Sequence, residues 1–263
     1  NDKHVHGEMD AVLQAYVDAV TKNKNRELSP AWIKGYNGVL DAYLGDYPES
    51  FEYDGKEYTP RSFADELGIN PDDYVEITSF THHPFYSQFI LEIPDNWLYS
   101  IVYNVPLDEM IEIIDYAIEE GYTMAWGSDV SDKGFSWTNG VAIIPEADLE
   151  DMNGTEREKW EKLTEREKQK QLYDFDGPGA EKEITQEMRQ KDFDNWQTTD
   201  DHGMHVVGWR EVDGRDWYLI KDSNRRSRLG QYKGYFLFSG DYIRLKMLAI
   251  MVHRDRLEGL LPD

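Results

Sequence analysis

The chain has 263 residues, of which 40% are apolar and 13% aromatic, enough to fold around one large core or two small ones. Its formal net charge of −24 argues against nucleic acid and anionic membrane as partners, because phosphate binding needs clustered Lys and Arg. There is no cysteine, which excludes disulfides, thiolate metal sites and a thiol nucleophile from these residues; no apolar run approaches the roughly 20 residues of a membrane-spanning helix.

The opening residues Asn1-Asp2-Lys3-His4 are polar, lack an initiator Met and carry no secretory signal, so the chain is expected to begin inside something longer or to be processed. Glu8 to Lys22 predicts an amphipathic helix, with Met9, Val12, Leu13, Tyr16, Val17 and Val20 at helical spacing. Ser29 is expected to cap a second helix with Pro30 at its first position, ending near Gly45. Asp54-Gly55 predicts a small hairpin over 51–58, and Thr59-Pro60 opens a short third helix ending at Gly68. From Tyr74 the period changes. Tyr74–Thr78 and Ile101–Val105 read as strands on either side of an aromatic loop, His82-His83-Pro84-Phe85-Tyr86. Pro106 starts a strong helix stopped by Gly121, and Tyr122–Gly127 reads as a buried strand. Residues 145–195 are charged and mostly helical, broken at Asp176-Gly177-Pro178-Gly179, and a strand-rich tail runs from about Met204 to His253. Helices first, a mixed middle and strands last give an α+β chain, divided into a helical part over 1–70 and an α+β part over 71–263.

His202 stands at the start of an apolar strand, with Met204, Val206 and Gly208 on its face and His205 on the other. A general base needs an imidazole whose second nitrogen is fixed by a hydrogen bond, which Asp222, at the end of the following strand, is placed to supply. A His and a carboxylate 20 residues apart are common, and the spacing alone fits two surface histidines beside a turn more simply. His202 and His205 diverge on an extended segment, so they do not read as a metal pair, and His82-His83 reads as a surface feature; no metal is expected. Neither a P-loop nor G-x-G-x-x-G is present, and Asp129-Val130-Ser131-Asp132 lacks the Gly and Glu of a calcium loop. Asn153-Gly154-Thr155 matches a glycosylation sequon, but Thr155 reads more simply as the N-cap of a helix over Glu156–Leu172. Arg225, Arg226 and Arg228 read as a loop paired with surrounding carboxylates.

Several separated segments together carry a resemblance. Asp72-Asp73-Tyr74-Val75-Glu76-Ile77-Thr78 with its aromatic loop, Tyr103-Asn104-Val105-Pro106-Leu107-Asp108-Glu109, Trp126-Gly127-Ser128-Asp129-Val130, Ile184–Phe193 and the Asp200–Phe238 region follow one another in the order seen in bleomycin hydrolase/aminopeptidase C, a branch of the papain-like cysteine peptidases. The chain resembles that branch over nearly its whole length. The resemblance implies a papain-like fold, with an antiparallel β-rich half and helical insertions, and an aminopeptidase acting on peptide substrates without a cofactor. It implies that His202 is the catalytic imidazole and Asp222 its orienting partner, and that the carboxylate of Asp263 recognises the substrate amine. It also implies a homo-oligomer, a hexamer in the family. The family's oxyanion-hole Gln and Cys-bearing helix lie upstream of the matched region, so the chain is expected to be the C-terminal portion of such an enzyme, inactive alone. Asp222 stands where the family has Asn, and Asn224 where it has Trp. These two departures keep a second reading open, a catalytically dead papain-like protein with a binding or structural role.

Overall fold

Helical spacing of apolar residues builds the first of two units, Asn1–Asn70. The computed structural model describes residues 5–24, 26–94, 96–146, 154–164, 167 and 180–257. Helices α1 (His6–Thr21) and α2 (Ala31–Leu44) are joined by the Tyr16 hydroxyl, which donates to the Trp32 carbonyl at 2.9 Å. The approach is so close at Gly35 that a Cβ there would stand 2.2 Å from Tyr16 Oη and would displace the end of that ring. Pro30, and not Ser29, occupies the N-cap of α2; the Ser29 carbonyl accepts from Trp32 N–H at 3.1 Å instead of its side chain capping the helix. Strands β1 (Phe51–Tyr53) and β2 (Lys56–Tyr58) form the hairpin, with Asp54 and Gly55 both at positive φ, as a primed two-residue turn requires. Thr59 then caps α3 (Pro60–Glu66) in a reciprocal bond with Ser62. The rings of Phe51, Tyr53 and Tyr58 close on Phe63 with centroids 5.3, 5.2 and 5.1 Å away.

The second unit, Pro71–Asp263, is organised by a ten-stranded sheet. Its strands are β3 (Tyr74–Thr78), β4 (Ser87–Ile90), β5 (Ile101–Asn104), β6 (Met124–Ser128), β7 (Phe135–Ser136), β8 (Val141–Ala142), β9 (His202–Val212), β10 (Arg215–Lys221), β11 (Tyr235–Ser239) and β12 (Met247–His253). They lie in the order β4-β5-β3-β12-β6-β9-β10-β11-β8-β7. The sheet is mixed, which corrects the antiparallel expectation: β3 pairs parallel with β5 (Ile77 opposite Tyr103) and β11 parallel with β8 (Leu237 opposite Val141). The two strands that carry the candidate site, β9 and β10, are a direct hairpin whose turn residues Asp213 and Gly214 again take positive φ.

Helix α4 (Leu107–Glu119) buries Leu107, Met110, Ile111, Ile113, Ile114 and Ala117 in the main core with β-strand residues Ile77, Met124, Val206, Tyr218 and Ile250. The Tyr218 hydroxyl donates to Asp115 of this helix at 2.6 Å, and burial pushes the Asp115 carboxyl up to about 6. Helix α5 (Gly154–Glu161) begins before Thr155, so Thr155 lies in the first turn and not at the N-cap, and the helix stops well short of Leu172. Thr185 caps α6 (Gln186–Asp194), and Ser239 caps α7 (Gly240–Lys246), a short helix inside the tail expected to be strand. Arg189 of α6 is wholly buried. Its guanidinium donates to the carbonyls of Ser79 (2.7 Å), Arg244 (2.9 Å) and Leu248 (3.2 Å) and lies 4.5 Å over the Phe80 ring. It therefore ties α6 and α7 to the strand ends of β3 and β12. Asn153 of the sequon, the Asp176–Gly179 break and the C-terminal Leu260-Leu261-Pro262-Asp263 lie outside the described residues.

Candidate functional site

His202 opens β9 and is held by register: it lies opposite Ser128 of β6, next to the pair Gly127–Gly203. Asp222 follows the last residue of β10, just past a bulge between Leu219 and Ile220. A bulge bends its strand and re-aims the residues after it. The turn beyond is pinned at several points. Asp222 N–H donates to Gly234 O at 2.9 Å, Gly234 N–H to Ser227 O at 3.0 Å, and Ser227 Oγ to Asn224 O at 2.7 Å. Gly234 takes φ +101°, a conformation that suits glycine.

These constraints bring the two residues together. His202 Nε2 lies 2.8 Å from Asp222 Oδ1; the Asp222 side chain is fully buried and that of His202 is 21% exposed. Asp222 Oδ1 also accepts from Asn224 N–H at 3.1 Å. A carboxylate has no proton to give, so Nε2 carries the proton of the neutral ring and Nδ1 presents its lone pair. Nδ1 makes no hydrogen bond among the described residues. Asp222 Oδ2 is buried without a partner among them. The arrangement is an imidazole fixed in tautomer and orientation, with a free basic nitrogen. His205 points away and meets Thr123 Oγ1 at 2.7 Å, where burial and then Lys221 lower its pKa.

No family model matches the sequence, and no curated protein matches it. Among solved structures the chain is similar to PepW from Lactobacillus rhamnosis HN001 (DR20), at 18% identity with a TM-score of 0.64. The two share a fold. The match takes in 98% of this chain but 59% of PepW, so the chain spans less than two thirds of that protein's length. At this identity the likeness to PepW is one of architecture: a distant relation between α+β folds.

Sequence reasoning missed several neighbours within that architecture. Trp137 places its ring beside the His202 imidazole, centroids 6.0 Å apart and planes at 66°, and itself packs edge-on to Phe135 and Phe236. The aromatic pair Phe135 and Trp137 flanking Ser136 was the available signal for a buried strand next to the site. The Asp129 carboxylate accepts from Ser131 N–H and Oγ and from Thr199 N–H, so it braces the segment that leads into His202. Asp201, the residue before His202, accepts from Val130 N–H at 2.9 Å, and its carboxyl is held above its ordinary range mainly by burial. His82 and His83, read from sequence as a surface feature, both turn onto Glu92. A groove of 520 Å³ between Pro106-Leu107 and Asp241-Arg244 is lined by neither His202 nor Asp222. Asp263 lies outside the described residues.

Proposed function

We propose that these residues form the imidazole-bearing half of a papain-like cysteine aminopeptidase, with the nucleophilic cysteine supplied from outside the 263 residues. The observation that carries the proposal is the 2.8 Å contact between His202 Nε2 and the buried Asp222, which leaves Nδ1 free. On this reading Nδ1 takes the thiol proton to give a thiolate–imidazolium pair. The thiolate attacks the scissile carbonyl, the imidazolium returns the proton to the leaving amine, and the acyl-enzyme forms. Water then attacks with Nδ1 as its base, and the thiol is regenerated. Asp222 accepts from Nε2–H throughout and stabilises the imidazolium, the part a neutral amide plays with less charge in the family. Trp137 stands against the imidazole in place of the family Trp that Asn224 replaces. Aminopeptidase specificity rests on the resemblance: peptides with a free amine, met by the Asp263 carboxylate, in a self-associated and by analogy hexameric protein.

One observation favours the second reading, a catalytically dead papain-like protein. Asp222 Oδ2 is buried without a donor, where an Asn would present an NH₂ group instead of a carboxylate oxygen. Hydrolysis separates the two. The 263-residue chain alone should release no product from an aminoacyl amide, and the same chain joined to its cysteine-bearing segment should release it in an alkylation-sensitive way. Turnover by the cysteine-free chain by itself would overturn the thiol assignment. A joined protein that binds peptides but does not cleave them would establish the dead homologue.

A further inference from the structure

The loop after β3 holds a second cluster, unrelated to the His202 site. Neighbouring residues in a chain ordinarily send their side chains apart, yet His82 and His83 converge. Their Nε2 atoms lie 3.0 and 2.7 Å from separate oxygens of Glu92, and the donor atoms of all three residues fall within 4.8 Å of one another. The donors of a tetrahedral zinc ion at roughly 2.0–2.1 Å would stand roughly 3.3 Å apart, so little movement is needed to enclose one.

The cluster is held in advance. Buried Asn104 accepts from Phe80 N–H at 2.9 Å, and its amide donates to the carbonyls of Phe80 (2.8 Å), His83 (3.1 Å) and Pro84 (3.2 Å), which fixes the loop backbone. The His83 ring stacks on Phe89 at 4.1 Å and 23°, and the His82 ring on Phe193 at 5.4 Å and 17°. Gln190 meets His82 from behind, with Nε2 at 3.1 Å and Oε1 at 3.5 Å from Nδ1. A partner that accepts from the ligating imidazole's other N–H is a regular part of metal sites, and Gln190 Oε1 is the acceptor within reach of that role at His82.

We infer that His82, His83 and Glu92 bind a first-row transition dication of the Zn²⁺ class through two imidazole nitrogens and a carboxylate, with the remaining position open to water. Two nitrogens and one oxygen suit zinc, cobalt or nickel better than magnesium or calcium, which take oxygen. On binding, each Nε2 proton leaves for Nδ1 or solvent and the freed lone pair coordinates; at His82 the Gln190 amide then shifts so that Oε1, which also accepts from Thr81 N–H, and not Nε2 meets the Nδ1 proton. The chain's charge of −24 raises the local concentration of cations in general.

The test is titration of the 263-residue chain with ZnCl₂, followed by calorimetry and by metal analysis after gel filtration. One Zn²⁺ per chain is expected, with a rise in melting temperature, and Co²⁺ should give the visible absorption of a four-coordinate ion. Glu92→Gln, an exposed change that keeps a hydrogen-bonding side chain, and His83→Asn should each weaken binding about 100-fold or more. His4→Gln/His6→Gln, which removes a different pair of histidines close together in sequence, should leave it unchanged. No saturable binding by the parent would overturn the assignment. So would equal affinity in parent, Glu92→Gln and His83→Asn, or loss of binding in His4→Gln/His6→Gln.

Discussion

Replacing His202 with alanine in the cysteine-bearing protein should lower kcat by roughly 10³-fold or more, with KM for an aminoacyl amide nearly unchanged. The ring does two jobs in the proposed cycle: it takes the proton from the thiol and returns it to the leaving amine. Alanine removes both, and water at the vacated position is neither held nor basic enough to replace it. The binding surfaces are left in place, so the loss belongs in the chemical step. Asp222→Asn should be far milder, because its carbonyl still accepts the hydrogen bond from Nε2–H. Asp222→Ala should fall between, since Nε2 then loses the acceptor that fixes the tautomer. Steady-state kinetics on the four proteins read this order directly. A His202→Ala protein within tenfold of its parent would mean that the pair is structural.

The largest effect on folding is expected at Arg189. Arg189→Ala should destabilise the chain by about 4 kcal/mol, from the cavity left by a large side chain and from three carbonyls that each lose a donor. Burial pushes the guanidinium down to about 9, so the group is charged at neutral pH although no carboxylate is among its hydrogen-bond acceptors. The three carbonyl dipoles and the Phe80 face carry the compensation. Arg189→Lys keeps a charge but cannot reach three diverging carbonyls from one ammonium, and should also be destabilised, by about 2 kcal/mol. Urea unfolding of the three chains measures both values; a loss under 1 kcal/mol for Arg189→Ala would show that solvent or neighbouring donors replace the clamp.

Much of this architecture was legible because local signals were strong. Asp54-Gly55 marks its hairpin, Thr59-Pro60 its helix start, and the apolar face from Leu107 onward its helix, each with one cheap backbone solution. The candidate pair was legible as spacing: a histidine at a strand start and an acid after the next strand meet when the two strands form a hairpin. Other features depend on distant residues. Helix α7 is one of them, a seven-residue turn of chain in an apolar tail, too short to impose a helical period, and made visible only by Ser239 as its cap. The parallel pairings of β3 with β5 and β11 with β8 leave no local mark, since the direction of a strand's neighbour is not written in the strand's own residues. The reach of Glu92 to two histidines, and of Trp137 to His202, belongs to tertiary packing. The role of Ser29 failed for a local reason: Pro30 already supplies the helical φ, and the chain enters α2 through a backbone turn.

Alkylation at acid pH shows whether His202 serves a thiol. A free cysteine, with a pKa of roughly 8.5, reacts slowly with iodoacetamide at about pH 5, whereas a thiolate paired with an imidazolium, at roughly 3–4, reacts fast. The protein that joins these residues to the cysteine-bearing segment should show one cysteine modified rapidly under those conditions, located by peptide mass spectrometry. In His202→Ala the same cysteine should react about 100-fold or more slowly, while at pH 9 the two proteins should converge. A cysteine whose acid reactivity does not change with His202, or none that reacts at acid pH, would contradict the account.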